Sequence, residues 1–285
     1  MTHIGMIGLG LLGSALAERF IKNGIRVTGF DVSEEARTRL AQAGGQVVPN
    51  STDVFKTADT VLLSLPNSSI VGNLLQEVES LLPGKTIIDT TTGDPEVTAT
   101  LGKRLKEMGT TYIDATIAGS SEQARAGDVV VMAGGEAEAF ARCDPLFRCF
   151  AKKWFHVGPW GSGARMKLVV NLVLGLNRAV LAEGLVFAKA LGLDLNATLE
   201  ILRSGPAYSQ AMDAKGRKMI DGDFTPVARL SQHLKDVRLI RDAAKRAGRV
   251  LPLSDLHEEL LAAAEAMGLG DCDNSAIMRA LESRQ

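Results

Sequence analysis

Three cysteines in 285 residues, Cys143, Cys149 and Cys272, cannot all pair, and their spacing matches no metal-binding pattern. They read as reduced thiols of an intracellular protein, and no metal site is expected. The chain also lacks an excess of charge. Thirty-two basic residues stand against 33 acidic ones, a net charge of −1, which leaves no electrostatic footprint for nucleic acid or an anionic membrane surface. Basic residues do cluster between Arg229 and Arg249, but Leu230, Leu234, Val237 and Ala244 run an apolar stripe through the same stretch, as in a solvated amphipathic helix. No long apolar run is free of polar groups. The longest, Met166 to Leu191, holds Lys167, Asn171, Asn177, Arg178, Glu183 and Lys189, which suits a buried soluble helix and not a bilayer span. No signal peptide is visible, since the chain enters an apolar strand within three residues. Repeats of 20–50 residues and low-complexity tracts are also missing. These absences leave a cytoplasmic, soluble protein without nucleic acid, membrane or metal among its partners.

What is present is globular: 46% apolar and 23% charged residues, in a length that points to two domains. The opening run Ile4 to Ile7 is apolar and short enough for a buried parallel strand. It leads into Gly8-Leu9-Gly10-Leu11-Leu12-Gly13, then an amphipathic stretch, Ser14 to Asn23, closed by Gly24. Val27 to Phe30 makes a second strand, which ends at Asp31-Val32. In this order the three glycines permit a tight turn, close approach of backbone to a pyrophosphate, and close helix–strand packing. The helix N-terminus offers free N–H groups and a positive dipole end to phosphate. Asp31 stands where an acid would bind the ribose hydroxyls and repel a 2′-phosphate, so NAD is expected, with NADP possible. The plainer alternative is a simple tight turn, with Asp31 capping the helix after Ser33.

Downstream, helices and strands alternate: a helix over 34–43, a short strand at 46–48, a helix from Ser51, a strand Thr60–Leu65, a helix from about Ser69 to Leu81, a strand Thr86–Asp89, a helix from Pro95, and a strand Tyr112–Asp114. This is the signature of a doubly wound parallel sheet of Rossmann type, whose ligands bind outside the carboxyl ends of the strands. Leu65-Pro66 and Thr90 to Thr92 are thereby placed to line a cofactor cleft. Residues 115–127, small and polar, read as a loop. A strand over Asp128–Ala133, a helix over Glu136–Phe147 and a strand over Trp154–Val157 close the α/β part. Beyond Gly163 only helical periodicity remains, over about 163–191, 195–204, 207–221, 228–247, 252–267 and 273–283. The predicted division is a dinucleotide-binding domain, 1–162, and an all-helical domain, 163–285, joined at the hinge Gly158-Pro159-Trp160-Gly161-Ser162-Gly163.

On the helix after that hinge, Lys167, Asn171 and Gly175 recur every fourth residue and share a face. A lysine near the start of an apolar helix lies by the positive dipole end in a low dielectric, and both disfavour its ammonium form. Such a lysine can trade a proton near neutral pH. A snorkelling lysine at a domain edge fits the same spacing. Trp160 fits either a place beside the cofactor or a packing role.

Assembled, these blocks resemble the β-hydroxyacid dehydrogenase family, which includes 3-hydroxyisobutyrate dehydrogenase and tartronate semialdehyde reductase. The glycine block is similar to the family's GLGxMG, with Leu12 where methionine is usual. Asp89 to Pro95 resembles its D-x-S-T-x-x-P loop, with Thr92 at the threonine position. Asp114 to Gly135 resembles its substrate loop, Gly161 to Asn171 its catalytic block, and Lys235-Asp236 its late K-D pair. The resemblance implies a 6-phosphogluconate dehydrogenase-like architecture, and hydride transfer between a nicotinamide and a small 3-hydroxy acid or its semialdehyde. It further implies that Lys167 is the general acid–base, that Asn171 holds the substrate, that residues 118–120 grip its carboxylate, and that Lys235 lies near the nicotinamide. Asp236 reads equally as a helix ion-pair partner. Through the helical half the resemblance implies a homodimer or homotetramer. Two departures stand out: Ala118-Gly119-Ser120 replaces the usual Ser-Gly-Gly, with Ser120, Ser121 or Arg125 as substitutes for the missing hydroxyl, and Val170 replaces a frequent second asparagine. An imine reductase of the same architecture lacks the lysine, and a non-catalytic NAD-binding regulator would show binding without turnover.

Overall fold

A computed structural model describes residues 3–284. The chain divides into two compact units, Met1–Lys167 and Leu168–Gln285.

In the first unit the strands are β1 (His3–Ile7), β2 (Arg26–Phe30), β3 (Gln46–Val47), β4 (Thr60–Leu63), β5 (Thr86–Asp89), β6 (Thr111–Ala118), β7 (Val129–Gly135) and β8 (Ala151–Gly158). Between them run α1 (Leu11–Lys22), α2 (Glu34–Gln42), α3 (Ser51–Thr57), α4 (Ser68–Glu77), α5 (Pro95–Glu107), α6 (Ser121–Ala126) and α7 (Ala137–Phe150), and α8 (Ser162–Ala190) begins here. The strands form one sheet in the order β3-β2-β1-β4-β5-β6-β7-β8. Neighbours from β3 through β6 are parallel, β7 runs antiparallel to β6, and β8 is parallel to β7. The sheet is doubly wound, with apolar cores on both faces: Leu16, Phe20, Phe147 and Phe150 on one, Val54, Phe55, Leu75 and Leu105 on the other. Continuous apolar runs such as Thr60-Val61-Leu62-Leu63, buried throughout, are what a strand covered on both faces requires.

Local chemistry sets the boundaries. Ser33, Asn67 and Asp94 cap α2, α4 and α5, with Pro95 in the first turn of α5. Asn50 caps α3, its side chain accepting from the Asp53 N–H. The predicted loop over 115–127 is instead the buried half of β6 followed by α6. In the β6 part the side chains are small because the first turn of α8 lies directly on it: Thr116 Oγ1 donates to the Gly163 carbonyl, and a Cβ at Gly163 would stand 2.4 Å from the Asp114 carbonyl oxygen. Small residues there mark close packing and not flexibility. Strand β8 is also longer than predicted, starting at Ala151 where α7 ends.

The second unit is helical: the rest of α8, then α9 (Leu195–Ser204), α10 (Arg217–Asp221), α11 (Leu230–Arg246), α12 (Pro252–Ala264) and α13 (Ile277–Glu282). The helices predicted over 207–221 and 252–267 are each broken by a five-residue π-helical turn, Met212–Gly216 and Glu265–Leu269, the latter bent at Gly268 with φ +81°. Leu181, Leu185, Leu234, Val237, Leu261 and Ile277 are among its core. Asp273, fully buried, pins this core. It accepts from Lys215 Nζ at 2.8 Å, from the N–H groups of Val227, Ala228 and Ser275, and from the Ser275 hydroxyl. Burial alone would raise its pKa, but Lys215 and Ser275 bring it down to about 2. By length and composition α8 could cross a bilayer. Here its Asn171 and Arg178 are buried, the former bonded within the helical unit.

Candidate active site

The carboxyl ends of β1, β2, β4, β5 and β6 lie along one edge of the parallel sheet, and the segments leaving them carry the predicted cofactor residues other than Lys235, which lies on α11. Gly8 has φ +90°, and a Cβ there would lie 2.2 Å from the Ser64 carbonyl oxygen. A Cβ on Gly13 would lie 2.0 Å from the Gly8 carbonyl oxygen, so α1 packs where only glycine fits. Gly10 is the opposite case. A Cβ there would meet nothing within 4 Å, and Gly10 caps α1 without a side chain. The loop therefore leaves open space at a helix N-terminus, the cradle a pyrophosphate needs. Leu11 and Leu12 follow as the first residues of α1.

Asp31 closes the loop from the next strand. Its Oδ2 accepts from the Leu9 N–H at 2.6 Å and its Oδ1 from the Ser33 N–H at 2.8 Å. The cap of α2 is Ser33 itself, which leaves Asp31 as the residue that ties β2 to the glycine loop. Val32, 89% exposed, follows it. Leu65 donates its N–H to Thr91 Oγ1 and Thr90 Oγ1 donates to the Leu63 carbonyl, so the segments after β4 and β5 are stitched together. Pro66 is exposed and Thr92 half-buried beside that stitch.

At the end of β6, Ala118 is half-buried and Gly119 adopts φ +145°. Ser120 forms a capping box with Gln123 at the start of α6: its hydroxyl accepts from the Gln123 N–H and its own N–H donates to Gln123 Oε1. The S-x-x-Q spacing carries that signal in the sequence. Arg125 pairs with Glu18 on α1. Lys167 reaches this edge, its Nζ donating to the Ile117 carbonyl oxygen at 2.7 Å. Trp160 packs over Gly102 of α5 and donates its indole N–H to the Tyr112 carbonyl, a packing role.

Beneath the edge lies a polar network that strand patterning does not reveal. Asp89 and Asp114 are register partners on β5 and β6, and both are buried. Asp89 accepts from the Tyr112 hydroxyl at 2.8 Å, yet burial keeps its pKa raised. Asp114 is raised to about 7, first by burial and further by the Asp89 charge, against the pull of backbone N–H groups from Ala164 and Gly161. Two acids at matched ends of apolar strands are the only sequence signal.

In the helical unit Asn171 is buried, and its Nδ2 donates to Asp236 Oδ2 at 3.0 Å; Lys235 Nζ stands 3.1 Å from Asp236 Oδ1. Asn171, Lys235 and Asp236 therefore form one cluster. One turn beyond Asn171, Gly175 faces His233 and His257, each close enough that a Cβ would approach it to 2.6 Å. Arg178, next on that side, is buried, which lowers its pKa to about 10.

Residues 3–158 match the family model described as the NAD binding domain of 6-phosphogluconate dehydrogenase. Residues 161–281 match that described as NAD-binding of NADP-dependent 3-hydroxyisobutyrate dehydrogenase. The chain is similar, at 33% identity, to 2-(hydroxymethyl)glutarate dehydrogenase of Eubacterium barkeri, covering 98% of this chain and 94% of that protein. It is 28% identical to glyoxylate/succinic semialdehyde reductase 1 of Arabidopsis thaliana over 98% of both. Among solved structures, Mycobacterium tuberculosis 3-hydroxyisobutyrate dehydrogenase with L-serine superposes with a TM-score of 0.89 at 25% identity, over 99% of this chain and 100% of that one. The chain belongs to the β-hydroxyacid dehydrogenase family of NAD(P)-dependent oxidoreductases.

Proposed function

We propose that the protein transfers a hydride between a nicotinamide cofactor and a small 3-hydroxy acid or its semialdehyde, with Lys167 as general acid–base. The observation that carries this is the Lys167 amine held against the Ile117 carbonyl, on the same sheet edge as the glycine cradle and Asp31. The residues at that edge fit the cofactor: an open helix N-terminus for the pyrophosphate, and the Asp31 carboxylate for the ribose, favouring NAD over NADP. When bound, the nicotinamide supplies the hydride acceptor. In the oxidation direction the neutral Lys167 amine takes the hydroxyl proton as the C–H bond breaks and the carbonyl forms; in reduction the ammonium returns that proton to the alkoxide oxygen. Asn171, fixed by Asp236, binds the substrate through its amide, and Lys235 serves the nicotinamide end. The backbone of Ala118, Gly119 and Ser120 holds the carboxylate. Ala118 lacks a hydroxyl, and in the capping box the Ser120 N–H is given to Gln123 Oε1 while its hydroxyl only accepts from the Gln123 N–H, so the donor Ser120 keeps for a carboxylate is its O–H.

The functional division proposed is 1–162 for the cofactor and 163–285 for substrate and self-association, in a cytoplasmic homodimer or homotetramer. Support for self-association comes from α8, where Val173, Val180 and Phe187 recur every seven residues and are each more than half exposed. An apolar stripe of that length is stable in water when a second copy covers it.

A spectrophotometric screen at 340 nm tests the proposal. NADH or NADPH formation is followed from 3-hydroxy acids, including 2-(hydroxymethyl)glutarate, and consumption with glyoxylate and succinic semialdehyde. Turnover of at least one such acid or aldehyde is expected. Silence on the whole panel, with cofactor binding intact, would overturn it in favour of the imine-reducing or non-catalytic alternatives.

A further inference from the structure

We infer that Asp114 is a positioning residue for Lys167, its carboxylate fixing the first turn of α8 on β6 so that the amine stands at the end of that strand. The inference rests on the proposed catalytic role of Lys167. Three contacts along β6, at Asp114, Thr116 and Ile117, hold the start of the helix. Asp114 Oδ2 accepts from the Ala164 N–H at 3.0 Å. Thr116 Oγ1 donates to the Gly163 carbonyl at 2.8 Å. The Ile117 carbonyl accepts from Lys167 Nζ at 2.7 Å. Ala164 lies three residues before Lys167, so the N–H that Asp114 holds sits one helical turn from the amine. The fit leaves no slack: a Cβ at Gly163 would lie 2.9 Å from Asp114 Oδ2, and one at Gly134 2.3 Å from Asp114 Oδ1.

Most buried polar atoms are hydrogen-bonded, and an exception asks for a reason. Asp114 is 2% exposed, yet its Oδ1 has no hydrogen-bond partner among the described residues. The charged group acting on it is Asp89 on β5, a like charge, which Tyr112 of β6 hydrogen-bonds. On the α8 side Arg165 is turned to Glu96 of α5 and Lys167 to Ile117, while β7 offers glycine. Its pKa, raised to about 7, means that its charged form is held against burial and against Asp89. The sign is plain: with a folded pKa above the unfolded one, stability is lost as the pH rises from the ordinary carboxylate range to about 7, and above that pH the charged Asp114 is held at its full cost. A group kept at such a cost is typical of a functional site.

The test compares Asp114→Asn, Asp114→Ala and Thr116→Val with wild type, and with Lys167→Ala as control. Four readouts are taken: kcat and KM on the substrate returned by the 340 nm screen, NADH affinity by fluorescence, urea midpoint at pH 8, and amide hydrogen exchange of a peptide spanning residues 161–170. For Asp114→Asn we expect kcat to fall at least tenfold with KM and NADH affinity within threefold. The urea midpoint should be unchanged or raised, and exchange over 161–170 faster. Wild-type kcat should show a step near pH 7 that this variant lacks, while the loss of oxidation that follows protonation of Lys167 remains in both. Loss of activity together with stability and NADH affinity would make Asp114 a residue of the fold only. Unchanged kcat and exchange in both Asp114 variants, while Lys167→Ala is dead, would overturn the inference and leave the catalytic reading standing. Full turnover by Lys167→Ala would instead remove the reading beneath it. If no substrate is turned over, unchanged exchange over 161–170 in both Asp114 variants overturns the inference by itself.

Discussion

Lys167 Nζ donates to the Ile117 carbonyl oxygen, across 50 residues of sequence, and so the amine of a helix side chain is fixed at the end of a sheet strand. A carbonyl accepts from the neutral amine as well as from the ammonium, and it fixes the nitrogen's place without fixing its charge. Replacing Lys167 by Ala is expected to lower kcat by roughly 10²–10⁴, the usual contribution of general acid–base catalysis. Lys167→Arg should fare little better, because a guanidinium does not give up its proton near neutral pH. NAD affinity should hold in both, measured by fluorescence titration alongside turnover. Substantial turnover in either variant would take the proton-transfer role away from this residue.

Asp31 carries the second prediction. Its carboxylate spans the Leu9 and Ser33 N–H groups and so shapes the glycine loop, in addition to its proposed role at the ribose. Asp31→Ala is expected to weaken NAD on the order of tenfold, about 1.4 kcal/mol, and to narrow or invert the preference against NADP. Asp31→Asn separates the two effects, since it keeps an acceptor for the loop and removes the charge. Calorimetric titration with both cofactors decides the matter. An unchanged NAD/NADP ratio in both variants would leave Asp31 a loop tie only.

The cofactor half was legible because its chemistry is local. The glycine spacing, the run into β2 and the terminal Asp31 all fall within 31 residues, and each needs only its neighbours to be understood. The roles of Ser120 and Asp114 were not legible in the same way. Ser120 stood in a carboxylate-binding pattern, yet Gln123 three residues on draws its hydroxyl into a helix cap. Asp114 acquires its role from Ala164 and Asp89, far along the chain, through sheet register that no periodicity encodes. The same blindness made residues 115–127 look like a loop: Ala115 and Thr116 are small because a helix lies on them. In the helical half, Asp236 read as an ion-pair partner; it is one, to Lys235, and it also holds Asn171.

The exposed stripe of α8 gives the third prediction. A helix apolar on all sides is normally covered on all sides, yet Val180 is 66% and Phe187 63% exposed. Val180→Asp combined with Phe187→Asp should convert an oligomer into a monomer, observed by light scattering coupled to gel filtration. A wild-type protein that is already monomeric at micromolar concentration would contradict the proposed assembly.

His257 supplies a pH dependence of stability that is independent of catalysis. Burial and the neighbouring Arg178 charge lower its pKa to about 4. The folded value lies below the ordinary value near 6.5, so between those limits the unfolded chain binds the extra proton. Stability is then retained at neutral pH and lost as the pH falls from about 6.5 toward about 4. Relative to the non-titrating His257→Gln, wild type should lose about 2 kcal/mol more between pH 7 and pH 5, taking one group shifted by this amount. Urea denaturation of both proteins at the two pH values measures the difference directly. Parallel losses in wild type and variant would mean that His257 takes up its proton in the folded protein as readily as in the unfolded chain.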